Sequence, residues 1–76
     1  MHNIKRMKIR IETACGYVGL IGAELPVVLN AQIGYSGLAH VRFSKMIEIP
    51  GFFWDEEDAG EGEDYVFLPH EYEIVH

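Results

Sequence analysis

Carboxylates are the chemically active side chains that this sequence places most densely. Seven of its twelve acidic residues fall between positions 55 and 64. These residues are Asp55, Glu56, Glu57, Asp58, Glu61, Glu63 and Asp64. Gly60 and Gly62 interrupt the series, which is typical of a solvated loop, named here the acidic loop (residues 55–64). Such a loop can bind a metal ion, contact a basic partner, or simply keep the chain in solution.

The acidic loop matches a calcium-binding loop poorly. Calcium loops place oxygen ligands at alternating positions, glycine at the sixth and a bidentate acid at the twelfth. Counted from Asp55, Gly60 stands at the sixth position, but Ala59 occupies the fifth and Val66 the twelfth. The pattern therefore predicts no calcium site in this loop.

The four histidines also fail to form a metal-binding pattern. They are His2, His40, His70 and His76. Zinc sites need three or four ligands and usually contain a pair at short spacing. The closest two histidines here are six residues apart, so we expect no metal and no cofactor.

Cys15 is the only cysteine and stands between Ala14 and Gly16, with no histidine near it in the sequence. A nucleophilic thiol needs a neighbouring base and a lowered pKa, so the pattern predicts a small, half-buried and unreactive thiol. A single cysteine cannot form an internal disulfide, which favours a cytoplasmic location. We expect a protein that binds rather than one that catalyses.

Charge is distributed unevenly along the chain. The formal net charge is -6, yet the 66 residues outside the acidic loop carry five acids and six bases. Four bases lie in the first ten residues: Lys5, Arg6, Lys8 and Arg10. Nucleic-acid binders usually show a basic stripe and a high pI, whereas the pI here is about 5.0. We therefore expect no direct contact with nucleic acid.

The apolar runs are too short and too interrupted for a membrane-spanning helix. The basic start leads into alternating charge and not into the apolar stretch of a secretory signal. These features predict no membrane association.

Three aromatic residues, Phe52, Phe53 and Trp54, directly precede the acidic loop. An aromatic anchor with a charged rim is typical of a binding hot spot. The predicted partner-binding residues are therefore Phe53, Trp54 and the seven acids of the loop. The alternative is that the aromatic side chains belong to the core and the acids only solvate a hairpin.

Short alternating segments predict strands. They cover residues 7–12, 25–31, 38–44, 64–68 and 71–75, separated by glycine and proline turns. Gly16, Gly19 and Gly22 indicate a bend or a close approach of two backbones. We expect one all-β domain over residues 1–76, with helix limited to one turn near Pro69 and His70.

The same alternation predicts the core. The expected core residues are Ile9, Ile11, Val18, Leu20, Val27, Leu29, Val41, Phe43, Ile47, Val66, Leu68 and Ile74. The strand that holds Lys8 and Arg10 is expected to be an exposed edge, through which a homodimer would pair.

The end of the chain, from Tyr65 to Val75, resembles the closing segment of SH3-type barrels, where an apolar-proline-x-x-tyrosine stretch makes one tight turn before the last strand. The stretch from Leu38 to Phe43 resembles the central strand of SH3-like barrels with no peptide-binding role, such as small accessory subunits of photosynthetic and redox complexes. The resemblance implies a small SH3-like barrel of about five short strands. In peptide-binding members it would place Trp54, Pro69 and Tyr72 in a groove for proline-rich ligands.

Together these observations predict a small interaction protein that binds a basic surface of a protein partner through its acidic loop and aromatic side chains. It would act as an accessory subunit or as an inhibitor, and a nucleic-acid mimic of the viral counter-defence type is the most specific version. The alternative is an SH3-type module that binds proline-rich peptides.

Overall fold

Five strands form one antiparallel sheet in the computed structural model, which describes residues 4–76. The strands are β1 (Lys5–Ile11), β2 (Val27–Ile33), β3 (Ala39–Val41), β4 (Tyr65–Phe67) and β5 (Glu73–Val75). Their order across the sheet is β4-β3-β2-β1-β5. The all-β expectation is confirmed. Within the described residues β4 and β5 do not pair, so the sheet does not close into the expected barrel.

Strand β1 lies inside the sheet and is not an edge. It pairs with β2 from Lys5 to Ile11, and with β5 from Lys8 to Arg10. The guanidinium of Arg10 also reaches the Glu73 carboxylate on β5 at 3.2 Å. The expectation that this strand is an exposed edge is therefore wrong, because Lys8 and Arg10 already have partners on both sides.

One face of the sheet carries the core. Its buried residues are Ile9, Ile11, Leu20, Leu29, Ala31, Ala39, Val41, Met46, Ile49, Tyr65 and Phe67. The prediction was correct for Ile9, Ile11, Leu20, Leu29 and Val41. Val18, Val27, Phe43 and Val66 are only half-buried.

Strand β4 faces the core with the residues opposite to those predicted. Tyr65 and Phe67 are fully buried, whereas Leu68 is 43% exposed. Every residue of this stretch is apolar, so alternation alone could not choose a face. The two large rings occupy the core because they remove more apolar surface from water than Val66 and Leu68 would. On β5, Ile74 is likewise exposed at the edge of the sheet.

A single α-helical turn, α1 (Phe43–Met46), replaces the predicted continuation of β3. Its backbone bonds join the N–H of Met46 to the carbonyl of Arg42 and the N–H of Ile47 to that of Phe43. The turn buries Met46 and Ile49, which stand three positions apart, and leaves Ile47 55% exposed. The expectation that Ile47 belongs to the core is therefore wrong, because this segment follows the helical period and not a period of two.

Two 3₁₀ turns complete the secondary structure, at Val18–Leu20 and Pro69–Glu71. The second confirms the turn expected near Pro69, while the first was not expected. No helix within residues 4–76 has both the length and the apolar character needed to cross a membrane.

Glycines allow two loop segments to lie side by side over the core. The N–H of Phe53 donates to the carbonyl of Gly19 at 3.2 Å, and the N–H of Glu24 donates to that of Pro50 at 2.9 Å. A Cβ atom at Gly19 would lie 2.0 Å from the Phe53 carbonyl oxygen, and one at Gly51 would lie 2.3 Å from that of Gly22. The expected close approach at Gly19 and Gly22 is thus confirmed.

Candidate functional site

The acidic loop is attached to the protein through the carboxylate of Asp58. Its Oδ1 accepts a hydrogen bond from the backbone N–H of Val18 at 2.8 Å, and its Oδ2 accepts one from Gly19 at 2.7 Å. Both donors belong to the first 3₁₀ turn, where N–H groups lack partners within the turn itself. Because bonds to a charged acceptor are stronger than neutral ones, Asp58 holds the loop against a segment about 40 residues earlier.

The loop also has internal structure. Asp55 Oδ1 accepts from the N–H of Glu57 at 2.8 Å, and the Asp55 carbonyl accepts from the N–H of Asp58 at 3.0 Å. The indole N–H of Trp54 donates to the carbonyl of Ala59 at 3.0 Å. The backbone of the loop is therefore held in defined turns.

Apolar side chains next to the loop remain in contact with solvent. Phe53 is 48% exposed and Trp54 38%, whereas the ring of Phe52 packs inward, 5.5 Å from that of Tyr65. Ile21, which is 75% exposed, lies on the segment that pairs with this one. We call this region the acidic–aromatic surface; it comprises Ile21, Phe53, Trp54 and residues 55–64.

The acids of this surface differ in exposure. Those that lie open to solvent are Glu56, Glu57, Glu61, Glu63 and Asp64. Asp55 and Asp58 are half-buried, and both carboxylate oxygens of Asp58 accept hydrogen bonds within the protein. Asp58 therefore positions the surface, and the five exposed acids are the ones available to a partner.

Two tyrosines, the half-buried Tyr17 and the fully buried Tyr65, lie beside the acidic loop on its core side. The ring centroids of Tyr17 and Tyr65 are 4.9 Å apart. Tyr65 is fully buried, and its hydroxyl has no hydrogen-bond partner among the described residues. Burial, followed by the nearby charge of Asp58, raises the pKa of Tyr65 above its ordinary value of 10.0. Tyr65 therefore stays neutral at physiological pH.

Cys15 is half-buried, as its sequence context predicted. Its thiol donates to the carbonyl of Thr13 at 3.3 Å and to that of Glu71 at 3.7 Å. Burial raises the pKa of the Cys15 thiol above 9.0. Because the thiolate is the reactive form, this environment favours a packing role.

The opposite face of the sheet carries a basic groove of about 480 Å³ that sequence reasoning missed. Its lining includes Arg6, Lys8, Asn30, Gln32, His40 and Arg42, with Lys45 at one end. The alternating patterns of β1 and β3 do predict that these bases face away from the core. Their proximity to one another depends on the strand order, which periodicity does not reveal.

The three residues of the proline-peptide groove implied by the SH3 resemblance make different contacts. The hydroxyl of Tyr72 donates to the carbonyl of Gly37 at 2.7 Å, and a Cβ atom at Gly37 would lie 3.0 Å from Pro69. Trp54 contacts Ala59 in the acidic loop. Pro69 and Tyr72 thus both lie against Gly37, in the turn between β2 and β3. Trp54 belongs to the acidic–aromatic surface.

Within residues 4–76 no three His, Cys, Asp or Glu side chains are grouped so that they could hold a metal ion. His2 lies outside the described residues. Comparison of the chain with protein-family models, curated proteins and solved structures gave no match.

Proposed function

We propose that this protein is a non-enzymatic interaction protein whose acidic–aromatic surface binds a basic surface of a protein partner. The observation that carries the proposal is the position of exposed Phe53 and Trp54 beside a loop whose backbone is anchored by Asp58. A surface that is already ordered loses less conformational entropy on binding than a flexible one.

The aromatic and acidic groups have different tasks in this proposal. Exposed ion pairs contribute only about 0–1 kcal/mol each, so the acids mainly steer a basic partner and speed its association. Phe53 and Trp54 provide the apolar area that slows dissociation. The complex therefore depends on both parts of the surface.

An inhibitor that mimics nucleic acid is the most specific form of this proposal. The five exposed acids would then occupy the site at which a nucleic-acid-binding enzyme holds phosphates. In that case duplex nucleic acid competes with this protein for the partner, whereas an accessory subunit would be unaffected by such competition. The single half-buried cysteine supports a cytoplasmic location for either form.

Binding kinetics test the proposal. Proteins captured from an extract of the source cell on the immobilised chain are identified and purified, and their association and dissociation rates are measured. Replacing Glu56 and Glu57 by Gln removes two charges from the acidic–aromatic surface. The matched control replaces Glu24 and Glu48 by Gln, because both are exposed acids elsewhere.

The loop variant should associate more slowly than the control variant and show a weaker dependence on salt. Phe53→Ala should speed dissociation, whereas Tyr35→Ala, which removes an aromatic ring that is 89% exposed elsewhere, should not. If loop and control variants bind alike, the contact lies on another surface and the proposal is wrong.

Beyond the all-β class, we propose that the chain has an SH3-like fold, although the sheet of the described residues does not close. The 3₁₀ turn Pro69–Glu71 directly precedes β5, as the resemblance implies for the last strand of such barrels. A module that binds proline-rich peptides is the second candidate, because Pro69 and Tyr72 lie together at Gly37. A proline-rich peptide array tests it, with Tyr72→Phe expected to weaken any peptide that binds at this turn.

A further inference from the structure

The geometry of the basic groove points to a second binding site, and we propose that it holds the phosphate backbone of double-stranded nucleic acid without regard to base sequence. This inference is independent of the proposed function, because the groove and the acidic–aromatic surface lie on opposite faces of the sheet.

Strand register arranges the groove in cross-strand rows. Arg6 on β1 pairs with Gln32 on β2, which in turn pairs with His40 on β3. Lys8 pairs with Asn30 in the next row. Rows two residues apart are about 6.6–6.8 Å from each other, and neighbouring strands are about 4.8 Å apart. A line of amide side chains on β2 thus lies between lines of basic side chains on β1 and β3.

Arg42 and Lys45 extend the basic lining beyond the end of β3. Arg42 directly follows the strand and keeps an extended backbone, and Lys45 belongs to α1. Four of the six Lys and Arg residues of the chain therefore line one groove. The overall charge of -6 conceals this local concentration of positive charge.

The bases of the groove lack acidic partners. No Asp or Glu lines the groove, and within residues 4–76 the ion pairs involve Arg10 and no groove residue. Arg6, Lys8, Arg42 and Lys45 are all exposed. Their charges are therefore available to an anionic ligand.

The composition of the groove distinguishes nucleic acid from a protein ligand. Protein–protein interfaces have an apolar, often aromatic centre, whereas the described lining has no Phe, Tyr or Trp, and its one aromatic ring is the imidazole of His40. Protein–DNA interfaces are polar and positively charged, with phosphates contacted by Arg, Lys, Asn and Gln. Because single strands are usually held by stacking on aromatic rings, the lining fits the backbone of a duplex.

Fluorescence anisotropy of labelled duplex DNA, titrated with the full chain, tests this proposal. Two duplexes of unrelated sequence should bind equally well at low salt. If four bases each neutralise one phosphate, the plot of log affinity against log salt has a slope of about -3 to -4. A labelled single strand and a poly-glutamate peptide should bind more weakly than either duplex.

Lys8→Gln and Lys5→Gln form a matched pair of variants on β1. Lys8 lines the groove, whereas Lys5 is exposed but does not. Lys8→Gln should weaken duplex binding about tenfold at about 50 mM salt and reduce the slope by about 1. Lys5→Gln should leave the affinity within about twofold of the parent and the slope unchanged, since it makes no phosphate contact.

Three results would overturn the proposal. One is the absence of duplex binding at low salt. Another is an equal effect of Lys5→Gln and Lys8→Gln, which would indicate attraction by any exposed base and not by the groove. The last is tighter binding of poly-glutamate than of duplex DNA, because the groove would then recognise an acidic polypeptide, including the acidic loop of a second copy.

Discussion

The hydroxyl of Tyr17 makes two hydrogen bonds to the backbone of Val66: it donates to the carbonyl and accepts from the N–H at 3.1 Å. Val66 is the central residue of β4, which lies at one edge of the sheet. Free N–H and C=O groups at a sheet edge can pair with a strand of another chain. The Tyr17 side chain occupies both groups of Val66 and so blocks this edge.

Tyr17→Phe should lower the free energy of unfolding by about 1–3 kcal/mol, because it leaves two half-buried backbone groups of Val66 without partners. Urea unfolding followed by circular dichroism measures the change. A loss smaller than about 0.5 kcal/mol would mean that water replaces the hydroxyl without cost.

Tyr65→Phe removes the hydroxyl from the neighbouring ring, but its effect on the free energy of unfolding should have the opposite sign. The Tyr65 hydroxyl is buried without a partner in the described structure. Its removal should raise the free energy of unfolding by up to about 1 kcal/mol, since an unsatisfied buried group is eliminated. The same urea titration compares the two variants, and a clear loss of stability would show that the hydroxyl has a partner.

Asp58→Asn should loosen the acidic loop. The amide keeps one acceptor oxygen but loses the charge and one of the two bonds to Val18 and Gly19, which should cost about 1–2 kcal/mol. Hydrogen exchange at these two N–H groups should become faster. Glu57→Gln is the control, because the Glu57 side chain is exposed. Equal exchange rates in both variants would contradict the anchoring role of Asp58.

Gly51→Ala should be strongly destabilising. Gly51 has a φ of 84°, and a Cβ atom there would lie 2.3 Å from the carbonyl oxygen of Gly22. Strain and overlap together should cost about 2–4 kcal/mol, seen as a lower thermal midpoint. Gly34→Ala should change stability by less than about 0.5 kcal/mol, because the space around Gly34 is open. Similar midpoints for the two variants would contradict the close backbone approach.

Stability should fall at alkaline pH. Burial raises the pKa of Tyr17 and Tyr65 above 10.0 and that of Cys15 above 9.0. The unfolded chain therefore loses these protons first, so the stabilisation is complete below the unfolded pKa values and is lost as pH rises through the folded ones. Urea midpoints should decline above about pH 9. The double variant Tyr17→Phe, Tyr65→Phe should show a shallower decline, and an equally steep one would assign the effect to other groups.

Local patterns predicted those elements in which polar and apolar residues alternate. In β1, Ile9 and Ile11 alternate with the charged residues Lys8, Arg10 and Glu12, and the two isoleucines face the core. The same reasoning failed in β4. Tyr65, Val66 and Phe67 are all apolar, so the pattern does not show which face of the strand is buried. It also failed at Ile47, because one helical turn interrupts the alternation.

The candidate site was predictable only in part. The adjacency of Phe53, Trp54 and the acids is visible in the sequence because these residues are consecutive. The anchoring of Asp58 on Val18 and Gly19 is not visible, since it joins segments about 40 residues apart. The groove formed by Arg6, Lys8 and Arg42 depends in the same way on the order of the strands.

The placement of the acidic loop and the basic groove on opposite sides of one sheet gives the molecule a permanent electric dipole that its net charge does not describe. Asp55 and Asp58 lie on the core side with Tyr65, and Arg6 and Lys8 lie on the other side. In the field of a charged surface such a molecule experiences a torque and rotates before contact. We therefore expect a polyanion and a polycation to approach different faces of the same molecule.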